Sequence, residues 1–187
     1  MAILRTFRAY KRIAMSQITI DRYDLTLLDA LQRKGNATNA TLGEQVHLSP
    51  SQISRRLQRL EEAGIISGYA ALLDPSAVGL GVTAFAHVIL ERHGETRTEA
   101  FEHAVAVLPE VMDCFSVSGD ADYVLRIVAP DLAAFSELMM KCVLRLPGVA
   151  HIKTNIALQK VKQTHVLPLD HVTQPATPRQ RLRYAGS

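Results

Sequence analysis

Leu48-Ser49-Pro50-Ser51-Gln52-Ile53-Ser54-Arg55-Arg56-Leu57-Gln58-Arg59-Leu60-Glu61-Glu62-Ala63-Gly64 is the stretch on which the reading of the fold turns. Ser49 is placed to cap a helix, Pro50 stands at the first helical position, where its missing N–H costs nothing, and Gln52 completes a capping box. Ile53, Leu57 and Leu60 recur at helical spacing as a buried stripe, and Gly64 ends the helix. Off that stripe lie Ser51, Gln52, Ser54, Arg55, Gln58 and Arg59, with Arg56 beside it. No carboxylate interrupts this surface before Glu61. Gln and Arg reach base edges, Ser49 and its neighbouring serines reach phosphates, and the helix N-terminus favours an anionic backbone. A solvated helix face has the same composition; placement on a third, capped helix is what favours DNA.

Two shorter patterns precede it. A first helix runs from about Asp21 to Arg33, capped by Asp21 or Thr19, with Leu27, Leu28 and Leu31 on one face and Gly35 as its stop. A second spans about Asn39 to Val46, with Thr38 as cap and Leu42 and Val46 on one side. His47-Leu48 separates the second helix from the third, which is the helix-turn-helix arrangement. Glycine is frequent in such turns, and histidine tolerates the left-handed region better than most residues. Beyond Gly64, residues 65–75 read as a short strand and a connection, and Asp74-Pro75 and Gly79-Leu80-Gly81 punctuate a boundary near residues 68–80.

The second half alternates strand and helix patterns. Residues 82–90 are rich in Val, Ile and Phe and read as a strand, and residues 96–107 as a helix with Phe101, Val105 and Leu108 spaced for burial. Residues 111–118 and 123–129 read as strands joined by the Gly119-Asp120-Ala121-Asp122 hairpin. Asp131 caps an apolar helix ending before Pro147-Gly148, and residues 149–158 form a last strand. Strand-helix-strand-strand-helix-strand is the ferredoxin-like arrangement, so the fold class is α+β. Helices cover one face of such a sheet; the other needs a partner, and a dimer is expected on burial grounds.

The charge distribution bounds the partners. A pI near 9.0 suggests nucleic acid, yet residues 1–20 carry +4 and residues 171–187 carry +3, while 21–74 carry −1 and 75–170 carry −3. Both ends are basic and the body is slightly acidic, so a local basic face has to carry the case for DNA. Residues 1–14, with Arg5, Arg8, Lys11 and Arg12, precede Met15, which would serve as a start; they read as an upstream start choice or an arm resting on phosphates. No run of about 18 apolar residues predicts a membrane span, and no secretory signal is expected. Cys114 and Cys142 lack metal-ligand spacing, read as small half-buried hydrophobes, and fit a reducing cytoplasm.

Leu48-Ser49-Pro50-Ser51, Ser54-Arg55-Arg56-Leu57, Leu60 to Ile66 and Leu73-Asp74-Pro75 resemble the Lrp/AsnC family of regulators, as do Leu108-Pro109-Glu110-Val111, Gly119 to Tyr123 and Leu146-Pro147-Gly148-Val149. The motifs stand in family order from about Ile20 to Leu169. The resemblance implies a transcriptional regulator: a winged or tri-helical helix-turn-helix followed by an effector and oligomerisation domain, pairing as homodimers that assemble to tetramers or octamers. It implies double-stranded DNA as a partner of Ser49, Ser51, Gln52, Ser54, Arg55, Arg56, Gln58 and Arg59. It also implies an amino acid or related metabolite held by Gly119, Asp120 and Asp122, with Tyr123, Leu108, Val111 and Thr154 shaping the pocket. Ser118 stands where the family often has Thr, and Thr41 where a capping Glu is common. On residues alone, the 119–122 turn reads as a plain hairpin.

The expected organisation is a basic extension over 1–18, a DNA-binding domain over 19–67, a linker over 68–80, a ferredoxin-like domain over 81–170 and a flexible basic tail over 171–187. No catalytic set, cofactor or metal site is expected. The seven histidines are scattered; His87 is expected toward the sheet interface, and His151 and His165 in extended surface segments. Asp120 and Asp122 offer too few ligands for a cation. The alternatives are an enzyme on the same fold, such as a siroheme decarboxylase subunit, and an amino-acid-sensing module without DNA activity.

Overall fold

The computed structural model describes residues 18–91, 95–173 and 182–184, and its first helix starts with a reciprocal pair of hydrogen bonds. The Asp24 N–H donates to the Asp21 carboxylate at 2.9 Å, and the Asp21 N–H donates to that of Asp24 at 3.0 Å. This capping box opens α1 (Arg22–Arg33). Thr38 caps α2 (Asn39–Val46), and His47, at φ 58° and ψ 44°, ends it in the left-handed region. Ser49 and Gln52 form a second capping box on α3 (Pro50–Glu62), with Pro50 in its first turn. Leu27, Leu42, Ile53 and Leu60 are fully buried between these helices, and each contributes about 1.5–3 kcal/mol of burial.

The strand expected within residues 65–75 does not form. Gly64 takes φ +69°, and the N–H groups of Ile65 and Ile66 both donate to the Leu60 carbonyl, at 2.9 and 3.2 Å. The start of that segment is thereby spent on closing α3, and both isoleucines pack half-buried against the helical core.

Two features of this unit were not expected. β1 (Ile18–Ile20) pairs in parallel with β6 (Leu182–Tyr184), inside the stretch read as a flexible tail. Residues 162–173 also belong here rather than with the second domain: one compact unit joins the described residues up to Ala71 with those from Lys162 on, and the other takes the described residues between Leu72 and Val161. The Gln32 side chain accepts the Leu167 N–H at 2.7 Å and donates to the Leu167 carbonyl at 3.4 Å, while Val172 is buried among the helices. A groove of about 600 Å³ runs between Leu25, Asp29 and Arg33 of α1 and residues 162–173. Arg5, Arg8, Lys11, Arg12, Arg179 and Arg181 lie outside the described residues.

The second unit has the expected βαββαβ order: β2 (Val82–Leu90), α4 (Glu95–Val105), β3 (Val111–Ser116), β4 (Tyr123–Ala129), α5 (Leu132–Lys141) and β5 (Val149–Ile156). The strands lie antiparallel in the order β3-β4-β2-β5. Ala84, Ala86 and Val88 of β2 and Leu125 and Ile127 of β4 are buried with Phe101 and Val105 of α4 and Phe135 and Met139 of α5. The intervening positions, Phe85, His87 and Ile89, face the other side, because side chains alternate along a strand. Val124 and Arg126 share that side, with Phe115 and Asp113 opposite them on β3. Phe85, Ile89 and Phe115 are exposed there, and Arg126 pairs with Asp113.

Candidate functional site

The exposed face of α3 carries the residues read as DNA contacts, but they are not equivalent. Ser51, Ser54, Arg55 and Gln58 are exposed. Arg55 has no ion pair or hydrogen bond among the described residues, and Gln58 donates to Glu62 one turn on, at 2.9 Å. Ser49 and Gln52 are also exposed, yet their side chains are committed to the cap. The Ser49 N–H donates to Gln52 Oε1 at 2.9 Å, and Ser49 Oγ accepts the Gln52 N–H at 3.3 Å.

Arg56 and Arg59 both reach back to α1. Asp24 of α1 is fully buried, and an unpaired carboxylate there would cost several kcal/mol. Arg56 Nη1 lies 2.7 Å from its Oδ1, and Arg59 Nη2 lies 2.5 Å from its Oδ2. Arg56 Nη1 also reaches Asp21 at 2.9 Å, and its guanidinium carbon stands 5.6 Å from the centre of the Tyr23 ring. Only 21% of the Arg56 side chain is exposed, so this residue, read as part of the DNA face, points into the α1–α3 contact. Burial opposes its charge, but the bonds to Asp24 and Asp21 outweigh it and raise the guanidinium pKa. Burial likewise opposes ionisation of Asp21, and the Asp24 N–H and Arg56 outweigh it, holding that carboxyl below 3.8. Asp24 was missed by the sequence reading. Its signal was there: Asp24 occupies the apolar stripe of α1 with Leu27, Leu28 and Leu31, where a lone acid needs a cation.

In the second unit, the hairpin turn divides in the same way. Gly119 takes φ +130°, a conformation that suits glycine, and Ser118 and Asp120 are exposed. Asp120 has no hydrogen-bond partner among the described residues. Asp122 is committed instead: its N–H donates to the Val88 carbonyl at 2.9 Å, and its Oδ2 accepts the Leu90 N–H at 2.8 Å. The turn is thus latched to β2.

Tyr123, read as a pocket wall, is a core residue whose ring lies 4.8 Å from that of Phe101. Its hydroxyl donates to Glu102 at 2.7 Å, and burial followed by Glu102 pushes its pKa well above the ordinary value, so it stays a donor. Burial, then Glu102, pushes the Cys114 thiol up to about 11.

A single chain does not bring the remaining effector candidates together. Val111 pairs with Ile127, at the far end of β3 from Ser116 and the turn, a strand length of roughly 17 Å. Leu108 packs half-buried just before it. Thr154 is exposed on β5 opposite Ala86, with β2 between it and β4. Among the described residues no group of three or more His, Cys, Asp or Glu could hold a metal, and no helix is long and apolar enough to cross a membrane.

Residues 20–67 match the family model described as winged helix-turn-helix DNA-binding, and residues 83–167 match that of the Lrp/AsnC ligand-binding domain. The leucine-responsive regulatory protein of Escherichia coli K12 is 38% identical over 148 residues, which cover 79% of this chain and 90% of that protein. Among solved structures, a transcriptional regulator of Neisseria meningitidis in complex with L-methionine shares 40% identity and superposes with a TM-score of 0.78, covering 81% of this chain and 98% of that one. An AsnC-family regulator from Agrobacterium tumefaciens shares 34% identity with a TM-score of 0.77, covering 81% and 99%. With a helix-turn-helix presenting Arg55 on an exposed face and a ferredoxin-like domain following it in the sequence, the chain belongs to the Lrp/AsnC family of DNA-binding transcriptional regulators.

Proposed function

We propose that the chain reads its operator through Ser51, Ser54, Arg55 and Gln58 of α3, and that an amino acid tunes that binding from the second unit. The observation that carries the reading is Arg55: it stands uncommitted on the exposed face of a helix whose start is locked by a double-capped N-terminus. An uncommitted arginine can meet guanine O6 and N7 bidentately. The protein works on DNA in the cytoplasm and carries out no catalysis.

The effector site lies between copies of the chain. Leu108 and Val111, the 119–120 turn and Thr154 are spread over one sheet, so a compact pocket needs a second copy to bring them into reach. The sheet face bearing Phe85, Ile89, Phe115 and Val124 supplies the apolar surface for a dimer, from which tetramers or octamers follow. At the turn, Asp120 pairs the ammonium group and the backbone amides around Gly119 hold the carboxylate.

L-methionine and L-leucine head the ligands to test, since the similar regulators carry those names. Thermal unfolding with each of the standard amino acids at millimolar concentration checks the reading. An effector at about 100 times its dissociation constant adds roughly 2.7 kcal/mol of stability. Asp120→Ala should erase that shift while leaving DNA binding intact. A ligand that stabilises wild type and the Asp120→Ala protein equally would place the site elsewhere.

A further inference from the structure

Asp24 joins α1 to α3 from both of its oxygens, and its two arginine partners are left in different surroundings. Arg56, on Oδ1, is enclosed by Asp21 and Tyr23. Arg59, on Oδ2, keeps 45% of its side chain exposed and lies one helical turn beyond Arg55, at the margin of the exposed face. The bond to Asp24 engages one nitrogen of the Arg59 guanidinium, and the planar fork keeps further N–H donors for another partner. A long side chain ordinarily loses rotamer freedom when it contacts DNA; one already fixed by a buried carboxylate has lost it on folding. Asp24 itself is held by the capping box at the start of α1, so the arginine is anchored to the helical scaffold rather than to a mobile side chain.

We propose that Asp24 is a positioning residue for DNA reading: it holds the Arg59 guanidinium so that its free donors meet a base edge, while Arg56 is a structural counter-cation that makes no DNA contact. The inference rests on α3 being the reading helix and adds a division of labour among its three arginines. It assigns specificity to a residue that never touches DNA.

The test begins by enriching a random duplex pool with the wild-type protein. Affinities are then measured for the selected duplex and for a scrambled duplex of equal composition, at several salt concentrations. Asp24→Asn removes a negative charge near the DNA and releases Arg59. Affinity for the scrambled duplex should hold or rise, because phosphate attraction is sequence-independent, while affinity for the selected duplex falls. Their ratio should drop on the order of tenfold, the discrimination of one bidentate contact. A folding defect alone would lower both affinities in step.

Arg59→Lys keeps the charge and replaces a side chain that is nearly half exposed, so it reports even if Asp24→Asn does not fold. It should lose the ratio with an unchanged salt slope, whereas Arg56→Lys should keep the ratio. Wild-type ratios in Asp24→Asn and Arg59→Lys, or an equal loss in Arg56→Lys, would overturn the proposal. A wild-type protein that binds duplexes but enriches no sequence would overturn the reading of α3 and this inference with it.

Discussion

The carbonyl of Gly43 accepts the Leu48 N–H at 3.0 Å, and the two backbones approach so closely that a β-carbon on Gly43 would stand 2.5 Å from the Leu48 oxygen. The helix-turn-helix is therefore closed by backbone on backbone, and glycine is required at position 43 of α2. Gly43→Ala has no flexible atom to displace, since the obstacle is a carbonyl. We expect a loss of about 1–3 kcal/mol from overpacking, seen as a lower Tm of the purified chain and weaker DNA binding. A Tm at the wild-type value would mean that the turn can open without loss.

His47 ends α2 at φ 58°, the one non-glycine residue in that region among those described. Its side chain is exposed, so its backbone conformation outweighs its contacts. His47→Gly should stabilise the protein by up to about 1 kcal/mol by removing the left-handed penalty, with DNA affinity unchanged. Denaturant unfolding at equal m-value is the check, and a lower midpoint would assign His47 a packing role.

Asp21 links stability to pH. Its carboxyl is held below 3.8 in the fold, so below about pH 4 the unfolded chain binds more protons than the native one. The stabilisation is present above that pH and is lost as the pH falls through the folded value. Asp21→Asn keeps a capping oxygen but not the charge facing Arg56. Its Tm should lie below wild type at pH 6, and the gap should narrow toward pH 2. Parallel curves would mean that Arg56 gains nothing from Asp21.

The two aspartates of the hairpin turn should separate cleanly. Asp122→Ala strands the Leu90 N–H, at a cost of about 1–3 kcal/mol if that group stays dry. Asp120→Ala touches no partner among the described residues and should leave Tm unchanged while removing the effector response. Urea unfolding of both variants, with and without the stabilising amino acid, reads the two effects. Equal destabilisation would show that the turn acts as one unit.

What the sequence determined by itself is the set of signals complete within a few neighbouring residues. Ser49-Pro50-Ser51-Gln52 placed the start of α3, Asp131 that of α5, and the alternation through Val82–Leu90 set which face of β2 is buried. Caps and periodicity are local physics, read without knowledge of any partner. Tertiary structure alone decided the rest. Arg55, Arg56 and Arg59 are one residue type on one helix, and only the arrival of Asp24, some 30 residues away, sorts them into free, enclosed and anchored. Asp122 reads as turn composition until Leu90 of another strand donates to it. The pairing of β1 with β6 and of Gln32 with Leu167 leaves no local pattern either. A buried charge or an unpaired backbone group takes its partner from whichever element folding brings near, and that choice is made in space, not along the chain.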